Sequence, residues 1–167
     1  MIRYNKYIIA AGAAALSAGI YSASTLAASV TSTANATVIA PMTIGETQAL
    51  DFGDIAEDGT GGTVALDAST GARTPGGGAS ASAGGGDQRG IYAITGVAGK
   101  TYSISIPGIN LTGPGGATMS VVFTNDAALT IPGAGSDNIG VGGTITLGAG
   151  QTAGNYSGNY TVTVDYN

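Results

Sequence analysis

The sequence predicts an all-β protein whose strands form an immunoglobulin-like sandwich of two packed sheets. Apolar and polar residues alternate with period two in several segments that are separated by turn residues. Beyond residue 27, no segment keeps the i, i+3, i+4, i+7 apolar spacing of a helix. Glycine, threonine, valine and isoleucine are abundant and charged residues are few. About seven to nine strands are expected, which suits a sandwich, and a closed barrel is the alternative.

The first 27 residues have the features of a secretory signal peptide. Arg3 and Lys6 precede an apolar stretch at residues 8–20, and Thr25-Leu26-Ala27 predicts cleavage after the alanine. An uncleaved membrane anchor is the alternative, because the uncharged stretch approaches membrane-spanning length. The predicted organisation is a signal peptide at residues 1–27, an N-terminal extension at 28–45 and one β domain at 46–167.

The composition of the exported part disfavours several classes of function. Only Arg73, Arg89 and Lys100 oppose ten acidic residues, and the resulting net charge of −7 disfavours nucleic acid and anionic membranes. The sequence has no cysteine and no histidine, which removes disulfides, thiol chemistry and the commonest general base and metal ligand. We therefore predict a protein that is not an enzyme, with no catalytic site, no cofactor and no small-molecule substrate.

Four acidic residues lie close together in residues 51–58 and raise the question of a metal site. Carboxylates with backbone oxygens could bind calcium, but a solvated acidic turn has the same composition. We predict the turn and no metal site. The four residues are Asp51, Asp54, Glu57 and Asp58.

The first predicted strand covers residues 34–44. Pro41 lacks an amide hydrogen, so this strand should lie at a sheet edge or contain a bulge. One face of the strand carries Ala34, Ala36, Val38, Ala40, Met42 and Ile44. A second, short strand is predicted around Leu50 and Phe52.

The middle of the chain predicts further strands that are separated by glycine-rich loops. Residues 61–68 alternate, whereas residues 69–90 are so rich in Gly, Ser and Pro that we expect a mobile loop with one weak strand around 79–83. Residues 91–106 predict a hairpin of two strands. The remaining expectations are a strand in 117–125, a loop at 127–140, a strand at 144–147 and a last strand near the end.

The last predicted strand, within residues 154–167, has the most regular alternation in the chain. One face carries Tyr156, Gly158, Tyr160, Val162, Val164 and Tyr166. Any half-buried antiparallel strand alternates in this way. Here, in addition, a tyrosine is the penultimate residue and Gly154 is the fourteenth residue from the end.

This C-terminal pattern resembles that of the subunits of chaperone-usher pili. The sequence is also similar to an uncharacterised family of exported bacterial domains that includes relatives of spore-coat-U and archaic fimbrial subunits. The similarity extends over nearly the whole exported chain. The segments that carry it are LDFGDI, GGTVALD, STGART, VGGTITLGAG and AGNYSGNYTVTVDY.

The resemblance implies a pilin-type sandwich that lacks one strand and polymerises by donor-strand exchange. A periplasmic chaperone would first cover the groove beside the last strand, and an outer-membrane usher would then assemble copies of the chain or related subunits at the cell surface. Such a fibre would serve adhesion or biofilm formation. The implied donor residues are Ala34, Ala36, Val38, Ala40, Met42 and Ile44. The implied groove residues are Gly154, Tyr156, Tyr160, Val162, Val164 and Tyr166.

Two alternatives remain open at this point. Residues 34–44 could pair within their own domain as an ordinary first strand. Most of their apolar side chains are small and the stretch contains Pro41, whereas a strongly apolar donor strand would have larger apolar side chains and no proline. The chain also lacks the disulfide that many classical pilins carry. The alternative function is that of a self-complete secreted sandwich that binds carbohydrate or another surface.

Overall fold

A computed structural model describes residues 27–81 and 85–167, and within them the protein is all-β with antiparallel strand pairs. The proposed signal peptide, except for Ala27, lies outside the described residues. No helix among the described residues is long and apolar enough to cross a membrane. A short 3₁₀ turn covers Pro114–Gly116. The strands are β1 (Thr43–Gln48), β2 (Ile55–Leu66), β3 (Arg73–Ala81), β4 (Gly90–Thr95), β5 (Tyr102–Ser105), β6 (Ile109–Thr112), β7 (Thr118–Asn125), β8 (Ser136–Leu147) and β9 (Thr163–Tyr166).

The long strand β8 organises a seven-stranded sheet. Its first half, residues 136–141, pairs with β4, and residues 143–147 pair with β2. Residues 141–146 also pair with β7. Strands β1, β3 and β6 join by pairing with β4, β2 and β7, respectively. A separate two-stranded sheet consists of β5 and β9.

Two clusters of buried apolar side chains form the core. The first cluster lies among β2, β3, β7, β8 and the segment before β2, and the second joins β4 and β8 to the β5–β9 sheet. The buried members of the first are Phe52, Val64, Leu66, Ala79, Met119, Val121, Ile145 and Leu147. Those of the second are Tyr92, Ile94, Tyr102, Ile131, Ile139 and Val141. Alternation along β4, β7 and the second half of β8 puts these residues on one face, as the sequence predicts.

Two expectations for the middle of the chain are wrong. Residues 69–90 are not simply a loop, because β3 pairs with β2 from Arg73 to Ala81. The glycines there permit a close approach of backbones: a Cβ on Gly77 would lie 3.0 Å from the Gly62 Cα. Strands β4 and β5 do not form the predicted hairpin, since β4 pairs with β1 and β8 while β5 pairs with β9.

Several boundaries also differ from the sequence analysis. Strand β6 was not anticipated, and β8 begins at Ser136, inside the expected loop at 127–140. The predicted short strand at Leu50 and Phe52 is reduced to one bridge between Asp51 and Gln88. In the last segment the ladder covers only β9, with a further isolated bridge at Ser157.

Residues 27–42 form no strand, and β1 begins at Thr43. The chain divides into two compact units between Ala36 and Thr37. In the first unit, residues 27–36 are exposed. In the second, residues 37–41 are exposed and Met42 packs against the second core cluster.

Candidate binding cleft

A cleft of about 900 Å³ opens beside the first core cluster. Its two walls are residues 50–57 and residues 151–160. Between the walls lie apolar side chains, namely Ile109, Leu111, Met119, Val121, Phe123, Ile145 and Leu147. A cleft of this size with several apolar lining residues is the candidate binding site of the domain.

The first wall is the segment that leads into β2. Leu50, Phe52 and Ile55 turn towards the first core cluster, and the bridge of Asp51 with Gln88 ties the segment to the sheet. Gly53 has a φ of +69°, a left-handed conformation that favours glycine and interrupts the strand. The wall therefore contributes both apolar and acidic residues to the cleft lining, and a single bridge pairs it with a neighbouring segment.

The acidic residues of this wall serve as local hydrogen-bond acceptors. Asp51 accepts a bond from the Gly53 amide, and Glu57 accepts one from the Gly61 amide. The Asp58 carboxylate accepts bonds from the Thr60 hydroxyl and amide, which lower its pKa. The described residues contain no group of three or more acidic side chains placed to hold a metal ion.

The second wall, residues 151–160, is held by tyrosine contacts. The Tyr156 hydroxyl donates a hydrogen bond to the Thr152 carbonyl at 2.7 Å and accepts one from the side-chain amide of Gln151 at 2.8 Å. Gly154 has a φ of +144° and packs against the Pro114 ring, where a side chain would clash. These contacts give the wall a fixed path although it belongs to no strand.

Tyr160 connects the cleft to the second core cluster. Its ring stacks on Phe123 with a centroid distance of 4.4 Å, and its hydroxyl lies 2.8 Å from that of Tyr92. Burial, followed by the bond to Tyr92, raises the pKa of Tyr160 well above its ordinary value. The phenol is therefore neutral at physiological pH and serves as a structural group.

The last segment shows the alternation that the sequence predicts, but the side chains on its apolar face are only half-buried. Tyr156, Tyr160, Val162, Val164 and Tyr166 are all half-buried, whereas the residues between them are exposed. The apolar face of this segment therefore points towards the core without being covered from every side.

The backbone of residues 158–162 is unpaired within the described part of the chain. Ser157 exchanges two backbone bonds with Thr112, and β9 pairs with β5 from Thr163 onward. Between these two points no backbone hydrogen bond is made inside the described structure. Backbone amides and carbonyls require partners, so this stretch offers an edge to which another strand can pair.

Tyr166 anchors the last part of the N-terminal extension, at Ala40. Its hydroxyl accepts a hydrogen bond from the Val97 amide at 2.7 Å and donates one to the Ala40 carbonyl at 3.3 Å. Just before this anchor Val38 is 98% exposed, and no residue from 37 to 41 belongs to a strand.

The predicted donor residues fall into three groups. Ala34, Ala36, Val38 and Ala40 are exposed and outside any strand. Met42 packs against the second core cluster. Ile44 already pairs with Ile94 inside the domain. The stretch whose backbone is available to another molecule therefore ends before Met42.

The structure brings together part of the predicted groove set. Gly154, Tyr156 and Tyr160 line the cleft, whereas Val162, Val164 and Tyr166 continue from it along the second core cluster. Sequence reasoning missed β6 and the first wall as cleft elements. The alternation of Ile109 with Leu111 was a usable signal for β6, but alternation alone does not show which strands face each other.

Comparison with known proteins places the chain in a family. Neither a curated protein nor a solved structure matches it. Residues 42–166 match the family described as "Domain of unknown function (DUF4402)", and this match covers three quarters of the chain. The matched region starts at Met42, just after the exposed residues 27–41, and includes all nine strands of the described residues. The protein therefore belongs to the DUF4402 family.

Proposed function

We propose that this protein is an exported structural subunit of a chaperone-usher-type fimbria or surface fibre that polymerises by donor-strand exchange. The observation that carries the proposal is a cleft that is partly lined by apolar side chains and lies beside the unpaired backbone of residues 158–162. In this proposal the two sheets are a pilin-type immunoglobulin sandwich, and the cleft is the position of its missing strand. The fibre would serve adhesion or biofilm formation.

The extension supplies a strand of matching chemistry. Residues 34–41 are exposed, and in an extended conformation they span about 26 Å at 3.3 Å per residue. The second wall has ten residues, so the two stretches are of comparable length. Val38 would leave water on docking, and full burial of such a side chain contributes about 1.5–3 kcal/mol. Backbone bonds to residues 158–162 would add affinity and set the register.

The same cleft gives a reason for helper proteins. An unpaired edge beside an apolar cleft is prone to pair with the wrong chain. A periplasmic chaperone would cover it during export, and an outer-membrane usher would exchange the chaperone for the extension of the next subunit. This route agrees with the signal peptide predicted from residues 1–27.

A self-complete secreted domain that binds carbohydrate is the second candidate. It is favoured by the aromatic rings of Tyr156 and Tyr160 in the cleft lining, since aromatic faces commonly stack on ligands. Both hydroxyls, however, already bond to groups of the protein. The cleft therefore offers apolar side chains together with polar groups and the unpaired backbone of residues 158–162, and this backbone fits a strand better than a sugar.

The test is an SDS gel of protein from the producing cells, loaded with and without boiling. We expect a ladder of oligomers that survives SDS, disappears on boiling, and is absent when residues 34–41 are deleted. The deletion spares Met42 and β1 but removes the Ala40 carbonyl, which accepts a hydrogen bond from Tyr166, so the folding of the deletion variant is checked separately. A monomer band in every lane, from protein shown separately to be folded, would refute the fibre.

A matched pair of point variants sharpens this test. Val38→Asp places a charge in the proposed donor stretch, and Val30→Asp places the same charge at another exposed valine, 92% exposed compared with 98%. We expect the ladder to be lost only with Val38→Asp, because a buried carboxylate without a partner is costly. Equal loss with both variants would contradict the proposed donor position.

A further inference from the structure

The guanidinium of Arg73, at the start of β3, is bound against the first wall of the cleft. Its Nη1 atom donates hydrogen bonds to the Phe52 carbonyl at 2.8 Å and to the Asp54 carbonyl at 3.1 Å. Its Nη2 atom lies 3.4 Å from the Asp87 carboxylate, and the side chain is only 7% exposed. A cation this deeply buried is stable only when it is paired and hydrogen-bonded, so the wall and the guanidinium fix each other's positions.

The wall bends around this guanidinium at Gly53. Gly53 lies between the two carbonyls that Arg73 binds, and its φ is +69°. A Cβ at this position would lie 2.6 Å from the Nη1 atom of Arg73 and 2.6 Å from the Gly85 carbonyl oxygen. Only glycine combines this backbone conformation with so close an approach. The path of the wall is therefore built around the cation.

Arg73 also joins the wall to the main sheet. Within the described chain, the other hydrogen bonds from residues 50–54 to distant segments all go to residues 85–88. Asp87, the ion-pair partner of Arg73, belongs to that same segment. Because Arg73 itself pairs with Leu66 in the ladder of β2 and β3, its side chain ties both segments to a strand whose place in the sheet is fixed. Arg73 is not among the residues that line the cleft, so it acts on the cleft through the wall.

We propose that Arg73 is a positioning residue of the cleft, whose guanidinium holds the first wall where an extended strand fits between the two walls. This role rests on the proposed function, in which the cleft binds a strand. A guanidinium suits the role because its planar fork donates to several acceptors at once, whereas an ammonium is a single point charge. Without the cation, the Asp87 carboxylate and the carbonyls of Phe52 and Asp54 lose a partner, and the wall can leave the position that shapes the cleft.

A pair of arginine substitutions tests this role. Arg73→Met keeps an unbranched apolar side chain and removes the donors. Arg89→Met is the matched control: the Arg89 guanidinium also donates to two carbonyls, those of Ala68 and Ser69, and lies 3.6 Å from the Asp126 carboxylate, but none of these residues lines the cleft. When a labelled peptide of residues 30–42 is added to each purified full chain, Arg73→Met should weaken its binding about ten-fold and Arg89→Met should leave it unchanged. Both variants should lower the melting temperature, so stability alone cannot produce this difference.

Amide exchange separates this role from the fibre itself. The Asp51 and Asp54 amides donate to the carbonyls of Gln88 and Gly85. Without peptide, their exchange should accelerate in Arg73→Met but not in Arg89→Met. If no protein binds the peptide, the strand-binding function fails, while faster exchange of these two amides still shows that Arg73 holds the wall. Unchanged exchange in Arg73→Met, or faster exchange with the peptide affinity of the wild type, would overturn the positioning role.

A conservative variant keeps the test decisive if Arg73→Met does not fold. Arg73→Lys retains a positive charge for Asp87 but lacks the fork that reaches the two wall carbonyls. It should therefore fold, and yet it should show faster exchange of the Asp51 and Asp54 amides and weaker peptide binding than the wild type. Wild-type values for both measurements would show that the guanidinium does not position the wall.

Discussion

A single hydroxyl group, that of Tyr166, holds together two parts of the chain that are far apart in sequence. It accepts a bond from Val97 and donates one to Ala40, next to the exposed Val38. Tyr102, its cross-strand neighbour, differs because its buried hydroxyl has no hydrogen-bond partner among the described residues. The two tyrosines therefore form a natural comparison between a bonded and an unbonded phenol.

We expect Tyr166→Phe to lower the free energy of unfolding by about 1 kcal/mol, the usual contribution of a hydrogen bond. Tyr102→Phe should be neutral or slightly stabilising, because it removes an unsatisfied buried oxygen. Urea denaturation measures both effects. Amide exchange at Val97 should accelerate only in Tyr166→Phe; an unchanged Val97 amide in that variant would show that the bond does not stabilise the turn.

Asp67 makes the stability of the turn after β2 depend on pH. Its Oδ1 atom accepts hydrogen bonds from the hydroxyls and amides of Ser69 and Thr70. These bonds, that from the Ser69 hydroxyl above all, lower the pKa of Asp67 to about 2. An unfolded aspartate titrates near pH 3.9. The stabilisation is therefore complete above that pH and is lost as the pH falls from about 4 to about 2.

The expected result is a smaller loss of melting temperature between pH 4 and about 2 in Asp67→Asn than in the wild type. Ser69→Ala should change the slope in the same direction, since it removes a donor to the carboxylate. Ser80→Ala is the control, because Ser80 is exposed and makes no side-chain hydrogen bond to a described residue. Identical slopes in all four proteins would contradict the role of Asp67.

At the scale of strands, the close contact of β2 with β3 depends on glycine. A Cβ on Gly62 would press on the Gly76 carbonyl and lie 2.6 Å from the Ala79 nitrogen. Gly62→Ala should therefore lower the free energy of unfolding by about 1–3 kcal/mol, the range for overpacking. Gly45→Ala in β1 is the control, because nothing lies within 4 Å of its added Cβ, and it should stabilise by up to about 1 kcal/mol. Equal effects in thermal denaturation would refute the packing argument.

These glycines also explain where sequence reasoning worked for the strands and where it failed. Alternation identified β4, β7 and β9 because their alternate side chains are apolar and turn towards the core, buried in β4 and β7 and half-buried in β9. Strand β3 was missed because its Gly76-Gly77-Gly78 run packs through backbone and leaves no side-chain pattern. The false hairpin has a different cause. The side chains of β4 and β5, such as Ile94 and Tyr102, alternate in the same way whether the two strands pair with each other or with other strands. Their actual partners, β8 and β9, are distant in sequence.

For the whole molecule, the candidate site was predictable on one side only. The face of Tyr156 and Tyr160 followed from the sequence, because alternation near the end of the chain shows which residues share a side. The opposite wall could not be predicted, because Leu50 and Phe52 face the cleft only through the folding of the entire domain. The extension illustrates the same limit, since its pattern resembles a strand but residues 34–42 have no strand partner within the described part of the chain.

If the extension of one subunit fills the cleft of another, as proposed, a peptide with the sequence of the extension should bind there too. A synthetic peptide of residues 30–42 should bind the variant that lacks residues 34–41 and raise its melting temperature in a concentration-dependent way. At a peptide concentration 100 times Kd, the stabilisation should be about 2.7 kcal/mol. Amide exchange of residues 158–162 should slow at the same time, because these unpaired amides are the proposed partners.

The same peptide with Val38→Asp should neither raise the melting temperature nor slow the exchange of these amides. If the wild-type peptide leaves both the melting temperature and these amides unchanged at millimolar concentration, the extension does not fill the cleft. The binding-module candidate would then account better for a cleft lined by the rings of Tyr156 and Tyr160.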